Sequence, residues 1–143
     1  LAAIIQQHKL QGVVHLLGAK NQQEVRMYLQ QADVFLLPSV TAANGDKEGI
    51  PVSLMEAMAS GLLCLSTYHS GIPELIQHDY NGLLVQERDS DALCQQIIRL
   101  IKGEVDINTL RQQARQTVSQ AFNQQQIYDE LAQICHDLGD DFV

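Results

Sequence analysis

The chain has 143 residues, of which 45% are hydrophobic and 18% charged. That is one domain's worth of chain with enough apolar side chain to bury a core, which excludes a generally disordered segment. The net charge of −8 excludes a broad non-specific nucleic-acid surface, which needs a basic face, though it leaves room for a local basic pocket around one small phosphate ligand. No apolar run approaches the roughly 20 residues needed to span a bilayer, and no secretory signal is visible. Cys64, Cys94 and Cys135 fall in apolar or helical-looking segments, form no CxxC pair, and only His136 adjoins one of them. They read as free buried thiols in a reducing cytoplasm, not as a zinc site.

The opening run LAAIIQQHKL lacks an initiator Met and reads as the end of a helix, so we expect a piece of a longer protein. Leu1, Ile4 and Ile5 recur at helical spacing, and Gln11-Gly12 stops that helix. Val13-Val14-His15-Leu16-Leu17 is a short apolar run that predicts a buried strand, with His15 at the edge of the core. Asn21 predicts an N-cap, with Glu24 three residues on, for a helix that ends at Ala32. Asp33 to Leu37 predicts a second strand, closed by Pro38-Ser39. A polar loop runs from Val40 to Glu48. Residues 51–60 predict a helix, with Pro51 in its first turn and Gly61 just past its end. Leu62 to Ser66 predicts a third strand, the loop from Thr67 to Ile72 follows, and residues 73–76 form a short helical turn. Asn81-Gly82 is a turn signal, and Leu83-Leu84-Val85 predicts a fourth strand. Asp89 to Lys102 is helical and ends at Gly103. Ile107, Leu110, Ala114 and Val118 mark the next helix; Ile127, Leu131, Ile134 and Leu138 mark the last. Buried strands alternating with helices predict an α/β fold, a Rossmann-like parallel sheet covered on both faces. Four strands are few for a doubly wound sheet, as expected if the first strands lie upstream of Leu1.

In such a sheet ligands bind at the carboxyl ends of the strands. Three loops leave those ends: Gly18-Ala19-Lys20, Ser39 to Ile50, and Thr67 to Ile72. The second runs straight into a helix whose preceding residue, Ile50, cannot cap it. The amides of Val52, Ser53 and Leu54 then need another acceptor. An anion, drawn by the helix dipole, is one solution; water or the Ser53 hydroxyl is another. Glu48 stands at the mouth of this start. Glu56, eight residues on, sits among Leu54, Met55, Ala57 and Met58, and at the depth this implies it needs a partner. A polyol and a salt bridge serve equally.

The stretch Glu48-Gly49-Ile50-Pro51-Val52-Ser53-Leu54-Met55-Glu56, continued by Ala57-Met58-Ala59-Ser60-Gly61, resembles the E-x7-E signature and following helix of family 4 glycosyltransferases. Leu17-Gly18, Ala32-Asp33, Pro38-Ser39, the run from Ser70 to Leu75 and the run from Asn81 to Val85 stand in that family's order and spacing. The resemblance implies the C-terminal, donor-binding half of a two-Rossmann-domain (GT-B) enzyme, with residues 1–143 forming a partial donor domain. It implies retaining transfer from a nucleotide diphosphate sugar to a polysaccharide or lipid-linked acceptor, with neither metal nor resident cofactor. By it, Glu48 contacts the donor hexose near the reacting carbon and Glu56 holds the ribose hydroxyls. The backbone of Gly49, Ile50, Pro51, Val52, Ser53 and Leu54 lines the hexose and diphosphate, and Gly18 lies beside the base. Many members carry Gly where this chain has Pro51. Pro has no N–H to donate, which moves the expected amide donors to Val52, Ser53 and Leu54.

The loop before Glu48, with its Asn44-Gly45-Asp46-Lys47 turn, resembles a subgroup that builds bacterial exopolysaccharides such as colanic acid. Asp46 and Lys47 either touch donor or acceptor or form a solvated turn. The Arg and Lys that grip the diphosphate in the family would lie before Leu1, as would the acceptor domain, so the isolated chain is expected to be inactive. His8, His15, His69, His78 and His136 do not match that domain's histidine. The resemblance implies a cytoplasmic enzyme, or one peripheral at the inner face of the membrane. Two other readings stand beside it: a non-catalytic Rossmann-like nucleotide-binding module and a sugar-nucleotide epimerase. Neither G-x-G-x-x-G nor a P-loop is present. The stripe Ile127, Leu131, Ile134 and Leu138 is expected either to leave its helix self-associating or mobile for want of an acceptor domain, or to pack on its own sheet.

Overall fold

The computed structural model describes residues 1–41 and 49–121, and the chain divides into two compact units, Leu1–Gln31 and Ala32–Val143. The expected last helix, with Cys135 and His136, lies outside the described residues.

The first unit holds helices α1 (Ala2–Gln7) and α2 (Gln22–Gln31). Helix α2 starts where the sequence places it. Asn21 Oδ1 accepts from the Glu24 amide at 2.9 Å, and Glu24 Oε2 accepts from the Asn21 amide at 3.0 Å. Both arms of a capping box are made, so two orphan donors are satisfied. The predicted strand over residues 13–17 does not form. The amides of Val13 and Val14 turn back to Leu10 O at 3.0 and 2.8 Å, and among the described residues no strand pairs with this run. Val13 is 74% exposed, and His15 is exposed too, not at a core edge. An apolar run becomes a buried strand only beside a neighbour that completes its ladder, and here local turn bonds take its amides.

The second unit carries three parallel strands in the order β1 (Val34–Leu37), β2 (Leu63–Thr67), β3 (Leu83–Val85). Val34 faces Leu63, and Leu65 faces Leu83. All five residues of β2 are buried, as a central strand covered on both faces requires. Helix α3 (Val52–Ala59) packs on β1, β2 and α6 (Ile107–Ala121), while α5 (Ser90–Ile101) packs on β3. Leu63, Leu65, Leu83, Val85 and Leu110 form one core cluster.

Local chemistry sets the helix ends. Asp89 accepts from the Ala92 amide at 2.8 Å to start α5. Asp106 accepts from the Thr109 amide at 3.1 Å at the start of α6. At the end of α3, Gly61 takes φ +80. Its amide reaches Met58 O and that of Leu62 reaches Ala57 O, both at 3.0 Å, a Schellman ending that suits glycine. Cys64 is buried, and burial pushes its thiol up to about 12. Cys94 is exposed, against expectation: α5 packs on the core through Ala92, Leu93 and Leu100, and Cys94 lies off that side.

The short helix α4 (Ile72–Leu75) leads to a turn pinned by Asn81, 3% exposed. Its Nδ2 donates to Leu75 O at 3.1 Å and to Thr117 Oγ1 at 3.0 Å, and its Oδ1 accepts from the Gln77 amide at 2.7 Å. A Cβ on the next residue, Gly82, would stand 2.8 Å from Ile76 Cγ2 and 3.0 Å from Cys64 O. Gly82→Ala is therefore expected to destabilise the protein by about 1–3 kcal/mol through overpacking. An unchanged urea midpoint would contradict this.

Candidate functional site

The carboxyl ends of the three strands lie together because the strands are parallel, and the segments leaving them form one rim. Helix α3 starts on that rim. Pro51 occupies its N-cap position with φ −65 and ψ 125, and no side chain caps the helix. The Leu54 amide donates to Pro51 O at 3.0 Å and the Met55 amide at 3.4 Å to the same oxygen. Leu54 is thus withdrawn from the expected set of ligand donors, and its side chain is fully buried. The amides of Val52 and Ser53 remain as the first-turn donors facing outward; both residues are exposed.

Glu56 is half-buried, not deep in the core. Its neighbours in sequence are apolar, but the helical period separates the faces. Leu54, Ala57 and Met58 point into the core, whereas Glu56 stands one turn from Val52 on the opposite face. The open helix start and Glu56 therefore share one surface. Gly49 and Ile50 lead into it. Glu48, with Asp46 and Lys47, lies outside the described residues. Gly18 belongs to the first unit, where its φ is +66.

Sequence reasoning missed a second polar group on the rim. Glu87, just beyond β3, gathers Thr41 and His69. Its Oε2 accepts from the Thr41 amide at 2.7 Å, and its Oε1 accepts from Thr41 Oγ1 at 3.1 Å. His69 Nδ1 lies 2.8 Å from Oε1, and His69 is 4% exposed. Arg88 Nη2 donates to Thr41 O at 3.2 Å. A signal was available: Gln86 to Asp89 is also a segment leaving a strand at its carboxyl end, read only as the approach to a helix. A cavity of about 240 Å³ opens nearby, lined by Pro38, Thr67, Val85, Arg88 and Leu93 among others, small beside the usual ligand pocket. Among the described residues, no three His, Cys, Asp or Glu side chains converge to hold a metal ion, and no helix is long and apolar enough to cross a membrane.

The Thr41 amide first, then His69, hold the Glu87 carboxyl well below its ordinary 4.5, down to about 2, with partial desolvation opposing. For a depressed carboxyl, the stabilisation is complete above the unfolded value and is lost as pH falls through the folded one. Glu87→Gln should therefore lower the thermal midpoint at about pH 6, with the gap to the parent closing as pH falls from about 4.5 towards 2. A gap of equal size across that range would show that the carboxylate charge is not what holds Thr41.

Comparison with known proteins shows the family and the fold. Residues 1–118 match the family described as glycosyl transferases group 1. The chain is 51% identical over 130 residues to the amylovoran biosynthesis glycosyltransferase AmsK of Erwinia amylovora, covering 91% of the chain and 32% of that protein. It is 49% identical over 135 residues to the putative colanic acid biosynthesis glycosyltransferase WcaL of Escherichia coli K12, covering 94% and 33%. The chain thus spans about a third of the length of the curated relatives it matches. Among solved structures, HepE of Anabaena in complex with UDP-glucose superposes with TM-score 0.75 at 24% identity, covering 92% of this chain and 35% of that one. The C-terminal domain of a glycosyl transferase group 1 family protein from Francisella tularensis superposes with TM-score 0.65 at 21% identity, covering 85% and 60%. The parallel sheet with its helices has the fold of the C-terminal domains of GT-B enzymes.

Proposed function

The chain belongs to the glycosyl transferases group 1 family, and from that premise we propose that it supplies the donor site of a retaining glycosyltransferase using a nucleotide diphosphate sugar. The observation that carries the proposal is the start of α3. It has no side-chain cap, turns the Val52 and Ser53 amides outward at the carboxyl edge of a parallel sheet, and shares that face with Glu56. Such a start suits a diphosphate, and a carboxylate one turn along suits a diol. HepE, of like fold, was solved with UDP-glucose and with UDP. The relatives named for amylovoran and colanic acid biosynthesis favour transfer over a non-catalytic module or an epimerase.

In this reading residues 1–143 form a partial donor domain. Glu48 meets the hexose near the anomeric carbon and Glu56 holds the ribose hydroxyls. Gly49, Ile50 and Pro51 line the hexose by their backbone, and Gly18 lies beside the base. The acceptor hydroxyl oxygen bonds to the anomeric carbon on the face the leaving group departs. The bond from that carbon to the phosphate oxygen breaks with its electron pair, and the hydroxyl proton passes to the departing phosphate. The positive end of α3 takes up the developing charge, with no resident cofactor. The acceptor is a saccharide or a lipid-linked one; a 27% identical relative from Escherichia coli is named for a diphosphoundecaprenol acceptor. Such an acceptor would place the enzyme in the cytoplasm, at the inner face of the membrane.

In the complete enzyme, Glu48→Gln should lower kcat and Glu56→Gln should raise KM for the donor. Each effect should be about 10- to 150-fold, the value of one hydrogen-bonded charge. Initial rates with UDP-glucose, UDP-galactose and GDP-mannose measure both. Parent kinetics in the two variants would end the donor-site assignment.

A further inference from the structure

A second hollow opens beyond the end of β2. Tyr68, helix α4, the turn that follows it and Thr117 of α6 line a cavity of about 610 Å³, within the usual size of a ligand pocket. Two of its lining side chains are aromatic. Tyr68 is 41% exposed and Tyr80 48%, so neither is spent on the core.

The wall that carries Tyr80 is held in place from several sides. Asn81 ties the turn to Leu75 O, to the Gln77 amide and to Thr117 Oγ1, and the Thr117 hydroxyl donates onward to Gln113 O at 2.9 Å. The Tyr80 hydroxyl donates to Gln113 Oε1 at 2.9 Å, which fixes the far end of the ring. Next to it, Asp79 holds φ 58, a left-handed value that is costly for a non-glycine residue and gathers at functional sites. An aromatic wall ordered in advance loses little freedom when a ligand arrives.

The lining selects the ligand's chemistry. Among the described residues that line the cavity, Glu74 is the one member of the Asp, Glu, Lys and Arg set. A phosphate or carboxylate ligand would therefore meet no lysine or arginine there, in a chain of net charge −8. An alkyl chain would cover the Glu74 carboxylate, the Gln77 side-chain amide and the Tyr68 hydroxyl. None of these has a hydrogen-bond partner among the described residues, and burying them unpaired is unfavourable. A neutral pyranose answers both demands. Its C–H face lies against an aromatic ring, and its hydroxyls donate to the carboxylate, which accepts two at once, and pair with the amide.

We propose that this cavity is a saccharide-binding subsite, in which Tyr68 and Tyr80 hold a neutral pyranose unit of a saccharide chain and Glu74 accepts from its hydroxyls. Saccharide is the material that a glycosyl transferase handles. The subsite shares no residue with the start of α3 or Glu56, so the inference goes beyond the donor-site reading and does not depend on it. Tyr68 directly precedes His69 of the rim. A chain anchored at Tyr68 stays beside the carboxyl edge of the sheet, which raises its effective concentration there.

The test uses the complete enzyme and three probes, maltotriose, galactotriose and mannotriose, titrated by saturation-transfer NMR. At least one should bind, with saturation strongest on ring C–H protons, and excess UDP or GDP should leave its Kd within about twofold. Tyr68→Ala and Tyr80→Ala should each weaken binding about tenfold, the value of a lost aromatic face. Tyr80→Phe keeps the ring and should stay within about threefold. Binding of none of the three probes, parent Kd in the Tyr68→Ala/Tyr80→Ala double variant, or displacement of the probe by nucleoside diphosphate would overturn the proposal. A lowered thermal midpoint in the double variant, with no saccharide bound by the parent, would show the rings covered by another part of the enzyme and overturn it too. Should the alanine variants fail to fold, Glu74→Gln decides, since its side chain is exposed: about threefold weaker binding supports the subsite, and parent Kd sinks it. Failure of the donor reading, seen as parent KM in Glu56→Gln, leaves each of these outcomes unchanged.

Discussion

A hydroxyl at the end of a fully buried strand has to find an acceptor. Ser66 and Thr67 close β2, both at most 2% exposed, and an unpaired polar group there costs about 1–3 kcal/mol. The carbonyls of Leu37 and Ser39 meet that demand. They are the last acceptors of the neighbouring strand and of the turn that follows it, so satisfying β2 also draws the chain leaving β1 across the carboxyl edge of the sheet. That path brings Thr41 to Glu87. The polar rim around the helix start is thus a consequence of how the central strand resolves its own burial.

What the sequence disclosed follows the range of the interaction. The capping box at Asn21 and Glu24 and the glycine ending of α3 are each decided within a few residues, and both appear where the sequence reading put them. Strands 34–37, 63–67 and 83–85 were legible because each apolar run has a partner in the same unit. The run 13–17 has the same composition and no such partner among the described residues, so composition alone misread it. A strand is a property of two segments; a helix cap is a property of one.

The candidate site divides in the same way. The uncapped start of α3 was legible because Ile50 and Pro51 offer no side-chain acceptor. The depth assigned to Glu56 was wrong because its neighbours in sequence lie on the other side of the helix. Leu54 proved to be spent on Pro51 O, since a helix that begins with an i→i+3 bond keeps its third amide for itself. His69 stood in a loop that the sequence placed on the ligand side, but Glu87 stayed invisible because its contacts span 46 and 18 residues. Nothing local distinguishes a glutamate that holds a distant threonine from one that merely precedes a helix.

These two kinds of determinant suit two tasks in the proposed chemistry. Groups that bind charge can sit on a helix made rigid by its own buried side: Leu54, Ala57 and Met58, each fully buried, fix α3 against the sheet, and the outward amides of Val52 and Ser53 inherit that precision. Polar groups just beyond a strand take their order from elements already fixed. β2 and β3 are such elements, buried along their lengths. The residues just past their ends, His69 and Glu87, are therefore where loop-borne chemistry can be anchored.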